Sequence, residues 1–372
     1  MKSALLQSKA AVPAILLAAF LARITLPMQA AECDSAGPDQ YLCGITSAED
    51  LVQIPGTRWL IASAFAGPSV LNLVDTRKKS WQVLFPSDAA ETAFDSQRFG
   101  DCQGPLPATG IVTHGLHITP GQKGRSTLHA VSHGAREAIE VFDITLSDAA
   151  DRPGITWVGC IPTPGGQEAN SVAALADGSL LATIPVEHGQ EFADAMMGRE
   201  TGAVYRWDVG DGKWSRLDVT AQPYANGIEV SPDEDTFYVA SSGLRRIIAY
   251  SNTTSPEILG STDTLRIAPD NLHRDREGML VTAGMVVEYA DCNPFDDAGR
   301  FDLEQYGACP RPWDVVVTDP TTLATTTIAT GEPRAGFSNI TMGVVVDNTL
   351  WLGTFAGDRI AYRALNDLSH PQ

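Results

Sequence analysis

Four short stretches of the chain carry oxygen-bearing side chains in matching places: Glu49, Asn170, Asn226 and the pair Asp270-Asn271. One Glu, one Asp and three Asn make an all-oxygen set. Hard cations choose such ligands, and calcium accepts six to eight oxygens at about 2.3–2.6 Å in a flexible geometry. Two carboxylates would nearly cancel the charge of a divalent ion. Zinc would want His or Cys, and none of the five is either. His114 stands at the equivalent place in a fifth stretch. It is the wrong type for a calcium site, but a His beside a polarising cation can take a proton from water. His133 closes the strand that follows it, and His117 falls on an alternating strand face. Each residue alone has a plainer explanation. Asn226-Gly227 by itself reads as a turn, and a lone His as a structural residue. The case for chemistry rests on repetition.

The repeated unit is a polar residue, an alternating apolar strand, a polar turn and a second apolar strand. Glu49 leads through Pro55-Gly56 to Trp59–Ser63, and His114 through Pro120-Gly121 to Thr127–Val131. Asn170 leads through Asp177-Gly178 to Leu180–Ile184, and Asn226 through Pro232-Asp233 to Thr236–Ala240. Asp270-Asn271 opens the fifth unit, and Thr341-Met342, which offers no strong ligand, opens the sixth. Period-2 alternation with these turn residues means β-hairpins. Further strand-like runs lie between them, at Ala138–Phe142, Gly202–Trp207 and Arg246–Tyr250. The expected fold is all-β, a six-bladed β-propeller with four-stranded blades and a central metal site. A pair of β-sandwiches would explain the alternation but not the recurrence. In a propeller the start of each innermost strand lies at one mouth of the axial channel, so the polar residues would converge there.

Composition agrees. Of 372 residues 44% are hydrophobic and only 19% charged, with 33 Gly and 23 Pro, a balance that suits many strands and turns. The net charge of -19 argues against nucleic-acid partners and against docking on anionic lipid. Residues 1–31 have the layout of a secretory signal, with Lys2 and Lys9 before the apolar run Ala10 to Ala22 and small residues at Ala30 and Ala31. Met28 and Gln29 make the cleavage motif imperfect, so a retained anchor is the minor alternative. Residues 32–372 form one propeller domain in this reading, with no membrane span after the signal. The expected location is extracellular, or periplasmic in a bacterium. Six cysteines, at 33, 43, 102, 160, 292 and 309, suit up to three disulfides. Cys292 with Cys309 is the best local pair, closing an Asp/Gly-rich loop. The stretch Gly189 to Glu200, with Phe192, Met196 and Met197, reads equally as a short lid helix or a packed surface loop.

Ala48-Glu49-Asp50, His114-Gly115-Leu116, Val131-Ser132-His133, Ile139–Phe142, Ala169-Asn170-Ser171, Ala225–Ile228 and Pro269-Asp270-Asn271 follow one another in an order and spacing that carry a resemblance. Over residues 43 to 362 the chain resembles the serum paraoxonase/arylesterase family, within the gluconolactonase and senescence-marker-protein-like group of six-bladed propellers. The resemblance implies that Glu49, Asn170, Asn226, Asp270 and Asn271 hold one catalytic calcium and that His114 and His133 form a histidine dyad. Asp270 or Glu49 acts as the base instead in the sugar-lactonase branch. Two departures stand out. The family's second, structural calcium uses an Asp after the Asn, where this chain has Ser171, so a second ion is doubtful despite Asp50. The family's disulfide between first and last blades has only Cys43, which is then expected to pair with Cys33, leaving closure to strand pairing.

The expected activity is a secreted, monomeric, calcium-dependent hydrolase of lactones or activated aryl esters, with small-molecule substrates. A strictosidine-synthase-like condensing propeller and a binding propeller with structural calcium are the alternatives.

Overall fold

Six antiparallel sheets follow one another along the chain, each built from strands consecutive in sequence except the last. The computed structural model describes residues 35, 37–67, 70–106, 111–146, 152–296 and 300–365. The expected signal segment and Cys33 lie outside the described residues. The first strands of the sheets are Leu51–Gln53, Ile111–Pro120, Val172–Ala174, Ala225–Val230, Ile267–Arg274 and Phe337–Val346. Each packs against the first strand of the next sheet, and the sixth packs against the first. The ring they form lines the axis of a six-bladed propeller. Five blades have four strands, and the second gains a short parallel edge, Glu91–Thr92.

The last blade borrows a strand. Gln40–Cys43 pairs antiparallel with Arg359–Ala364, Gln40 opposite Tyr362 and Cys43 opposite Arg359. Closure therefore rests on strand pairing between the two ends of the chain. Alternation explains the blades: one face of each strand buries apolar side chains against the neighbouring blade, so the core lies between blades. Phe142 and Trp157 fill it on one side, and Phe237 stacks on Tyr250 at 5.1 Å on another. Cys102 bridges to Cys160, a pairing the spacing does not indicate, and Cys292 bridges to Cys309 as expected.

Two insertions carry helices. Phe192–Met196, here α1, lies in the Gly189–Glu200 insertion. Leu303–Ala308, here α2, lies in the loop bounded by Cys292 and Cys309 and is capped by Asp302, whose carboxylate accepts from Gln305 N at 2.9 Å.

Candidate active site

Glu49 and Asn170 stand just ahead of their inner strands, whereas other polar stations fall on irregularities within theirs. The pairing register slips between Thr113 and Leu116, between Ala225 and Ile228, and between Pro269 and Leu272. His114, Asn226 and Asp270-Asn271 occupy these bulges, which re-aim side chains out of the regular pleat. The fifth inner strand thus begins at Ile267, and the acid–amide pair sits within it rather than at its start. Close approach at the axis needs glycine next to the station. A Cβ on Gly115 would lie 2.4 Å from the Asn170 carbonyl oxygen, and one on Gly227 2.4 Å from Leu272 N.

The five candidate ligands and the dyad come together. Asn271 Nδ2 donates to Glu49 Oε1 at 2.6 Å and sits 3.2 Å from the Glu49 carbonyl. His114 Nε2 lies 3.8 Å from Glu49 Oε2 and 3.5 Å from Asn170 Nδ2. Asn226 Nδ2 donates to Ser242 Oγ at 3.1 Å, and Asn226 also hydrogen-bonds Asp270. Asp270 in turn presses its charge on Glu49. His133 Nε2 stands 3.0 Å from His114 Nδ1. Of the other histidines, His117 lines a separate cavity with His273 and Glu229, and His188 is exposed.

Each asparagine commits its amide nitrogen to this network and leaves its oxygen over. Oδ1 of Asn170, Asn226 and Asn271, together with Glu49 Oε2, is buried without a hydrogen-bond partner. An unpartnered buried polar atom costs about 1–3 kcal/mol, so four at one place call for a common partner. Oxygens without N–H groups suit a cation better than an anion. Burial, and then the charges of Asp270 and Asp50, hold Glu49 well above the ordinary carboxylate range. Burial raises Asp270 to about 7, against the opposing hydrogen bond from Asn226. Burial and the neighbouring His133 keep His114 well below the usual imidazole range, which favours its neutral form. Among the described residues no three His, Cys, Asp or Glu side chains gather to share an ion. The candidate set instead mixes two acids with three amides, and the orphaned oxygens make it fit calcium.

Several further residues take part. Thr341, the sixth station, donates to the Glu49 carbonyl at 2.6 Å and so steadies the ring. Phe65 lies against His114 with ring centroids 4.3 Å apart. Tyr224, at φ 52 just before Asn226, meets Phe192 of α1 at 5.2 Å. Phe192 also touches Phe301 and Tyr306, at 5.7 Å each, so the two insertions join. Burial raises the Tyr224 hydroxyl pKa, and Asp270 adds to that, which places this aromatic group beside the acids. Glu137, 2.6 Å from His133 Nδ1, is a further residue that the motif reading passes over.

The description SMP-30/gluconolactonase/LRE-like region belongs to the family model that matches residues 64–305, more than half of the chain. No curated protein matches it. A solved structure assigned as a gluconolactonase superposes with a TM-score of 0.50 at 14% identity, covering 88% of this chain and 91% of its own. A luciferin-regenerating enzyme gives 0.49 at 16% identity, covering 88% and 94%. At such identities the likeness speaks to the fold alone.

Proposed function

We propose that this chain, which belongs to the SMP-30/gluconolactonase/LRE-like family, is a calcium-dependent hydrolase of lactones and activated aryl esters. The observation that carries the reading is the set of three amide oxygens and one carboxylate oxygen left unpartnered on side chains that contact one another at the channel. Glu49, Asn170, Asn226, Asp270 and Asn271 would hold the ion. Calcium, when bound, would polarise the substrate carbonyl and offset the negative charge that develops on its oxygen.

The chain's own groups supply the rest. His114 Nε2 takes a proton from the attacking water as the water oxygen bonds to the carbonyl carbon and the carbonyl π pair moves onto its oxygen. When that pair returns, the ester C–O bond breaks, and the proton on His114 passes to the leaving alkoxide or phenoxide. Asp270 is the other candidate for taking that proton. The aromatic group of Phe192, Tyr224, Phe301 and Tyr306, with Phe65 opposite on the dyad, suits an apolar acyl or aryl portion of the substrate. Two disulfides, and no helix among the described residues long and apolar enough to cross a membrane, suit a secreted or periplasmic setting.

The test is a panel of lactones and aryl esters assayed with chelator and with calcium returned. Turnover lost in chelator and regained with calcium is the expected result. Calcium binding without turnover of any ester would make the chain a binding propeller, and a condensation product without hydrolysis would make it a synthase-like relative.

A further inference from the structure

The dyad does not end at His133. The His133 Nδ1 atom lies 2.6 Å from Glu137 Oε2, four residues on and across the turn that joins two strands of the second blade. Gly134, at φ 98, lets the chain double back there, and the Glu137 carbonyl is tied by Thr163 N at 3.1 Å. The neighbouring cation is engaged elsewhere. Arg136 pairs with the buried Glu140 at 2.8 Å and donates to the Gly104 carbonyl at 2.7 Å.

A carboxylate accepts and cannot donate. His133 Nδ1 must therefore carry the hydrogen, and a neutral His133 is left with Nε2 as an acceptor. The 3.0 Å contact to His114 Nδ1 then requires that atom to donate. A neutral His114 has only Nε2 left, unprotonated, 3.5 Å from Asn170 Nδ2. Glu49 pulls the other way, since its Oε2 lies 3.8 Å from His114 Nε2 and would favour an N–H there. The two carboxylates stand at opposite ends of the imidazole pair and ask for opposite hydrogen-bond orders. The shorter contact, at Glu137, decides.

We propose that Glu137 is a positioning residue that sets the tautomers of His133 and His114, so that His114 presents its Nε2 lone pair to the site. Its catalytic consequence rests on the hydrolase reading above, but the hydrogen-bond order does not. The experiment is nitrogen-15 NMR of histidine-labelled protein, in the wild type, Glu137→Leu and Glu137→Gln, with kcat, KM and calcium affinity measured alongside. The wild type should show hydrogen on Nδ1 of both rings. Glu137→Leu removes the acceptor. It should move hydrogen to His114 Nε2 and lower kcat about 100-fold, within the range of a general base, with calcium affinity unchanged. Glu137→Gln keeps both length and an accepting oxygen. It should retain the wild-type tautomers and most of kcat, which separates lost positioning from a damaged fold. Unchanged tautomers in Glu137→Leu would overturn the assignment, as would a wild type with hydrogen on His114 Nε2. If no ester is turned over by the wild type, the tautomers still decide the role of Glu137, and only the hydrolase reading falls.

Discussion

Glu49 and Asp50 are neighbours in sequence and meet opposite fates in the channel. Glu49 Oε2 has no partner, and the amide oxygens around it have none either. Both Asp50 oxygens are used. Oδ1 accepts from Leu51 N and His273 Nε2, each at 2.7 Å, and Oδ2 accepts from Leu116 N at 2.7 Å. Glu229 beside it is tied to Val230 N at 2.9 Å and Arg274 N at 3.2 Å. Burial alone would lower the His273 pKa, but the charge and hydrogen bond of Asp50, with Glu229, raise it overall, which favours the charged imidazole beside Asp50. One cluster is closed on itself and one is left open. Acids and imidazoles occur in both, so residue type does not separate the closed cluster from the candidate functional one. Hydrogen-bond completeness does, since stable folds satisfy buried polar groups and functional sites leave them for a ligand.

The sharpest test of this contrast removes an orphaned oxygen. Asn226→Ala deletes Oδ1 while the backbone of its bulge stays free to form. Its turnover should fall to the level of chelated wild type, and calorimetry should show calcium binding weakened in step. The contrast breaks if the variant keeps wild-type turnover at wild-type calcium affinity.

In the closed cluster the same kind of truncation should act on stability. His273→Ala strands the fully buried Asp50 carboxylate without its counter-charge, and losing one partner of a buried pair costs about 3–5 kcal/mol. Urea unfolding in the presence of calcium should show that loss. The folded fraction should keep its kcat. A variant of unchanged stability and abolished kcat would place His273 in the chemistry and erase the distinction between the two clusters.

Much of the open cluster is visible in the sequence because it repeats. Four of the six inner strands slip register at the same height, and a polar residue followed by Gly, as in His114-Gly115 and Asn226-Gly227, leaves a readable trace. The closed cluster leaves none. Asp50 and His273 are 223 residues apart and are joined only by ring closure. The strand Gln40–Cys43 in the last blade depends on the same closure, while the Cys102–Cys160 bridge depends on how the segment ahead of the second blade docks on that blade's outer strand. Glu137 is close to His133 in sequence, yet nothing in its type sets it apart from Glu140, which pairs with Arg136 instead. The helix α2 is marked only by a single capping Asp in a loop rich in Asp. Partnership, unlike periodicity, is a property of the folded chain.

The smallest effect expected concerns His129, which pairs across strands with His117 at the edge of the closed cluster. It is buried, its Nδ1 has no partner, and burial, with His117 and Arg98 nearby, lowers its pKa to about 3. Between the unfolded value near 6.5 and about 3, the unfolded chain binds a proton at this residue that the folded protein does not. Stability from this group is therefore complete above about pH 6.5 and falls as pH drops toward 3, at most about 1.4 kcal/mol per pH unit. A variant without the titration, His129→Gln, should lose about 1.6 kcal/mol less than wild type between pH 6.5 and 5. The comparison is of urea unfolding free energies at the two pH values, and the slope difference matters rather than the offset caused by repacking. Parallel pH profiles for the two proteins would mean that His129 is protonated as readily in the fold as out of it. The closed cluster would then be open to water on that side.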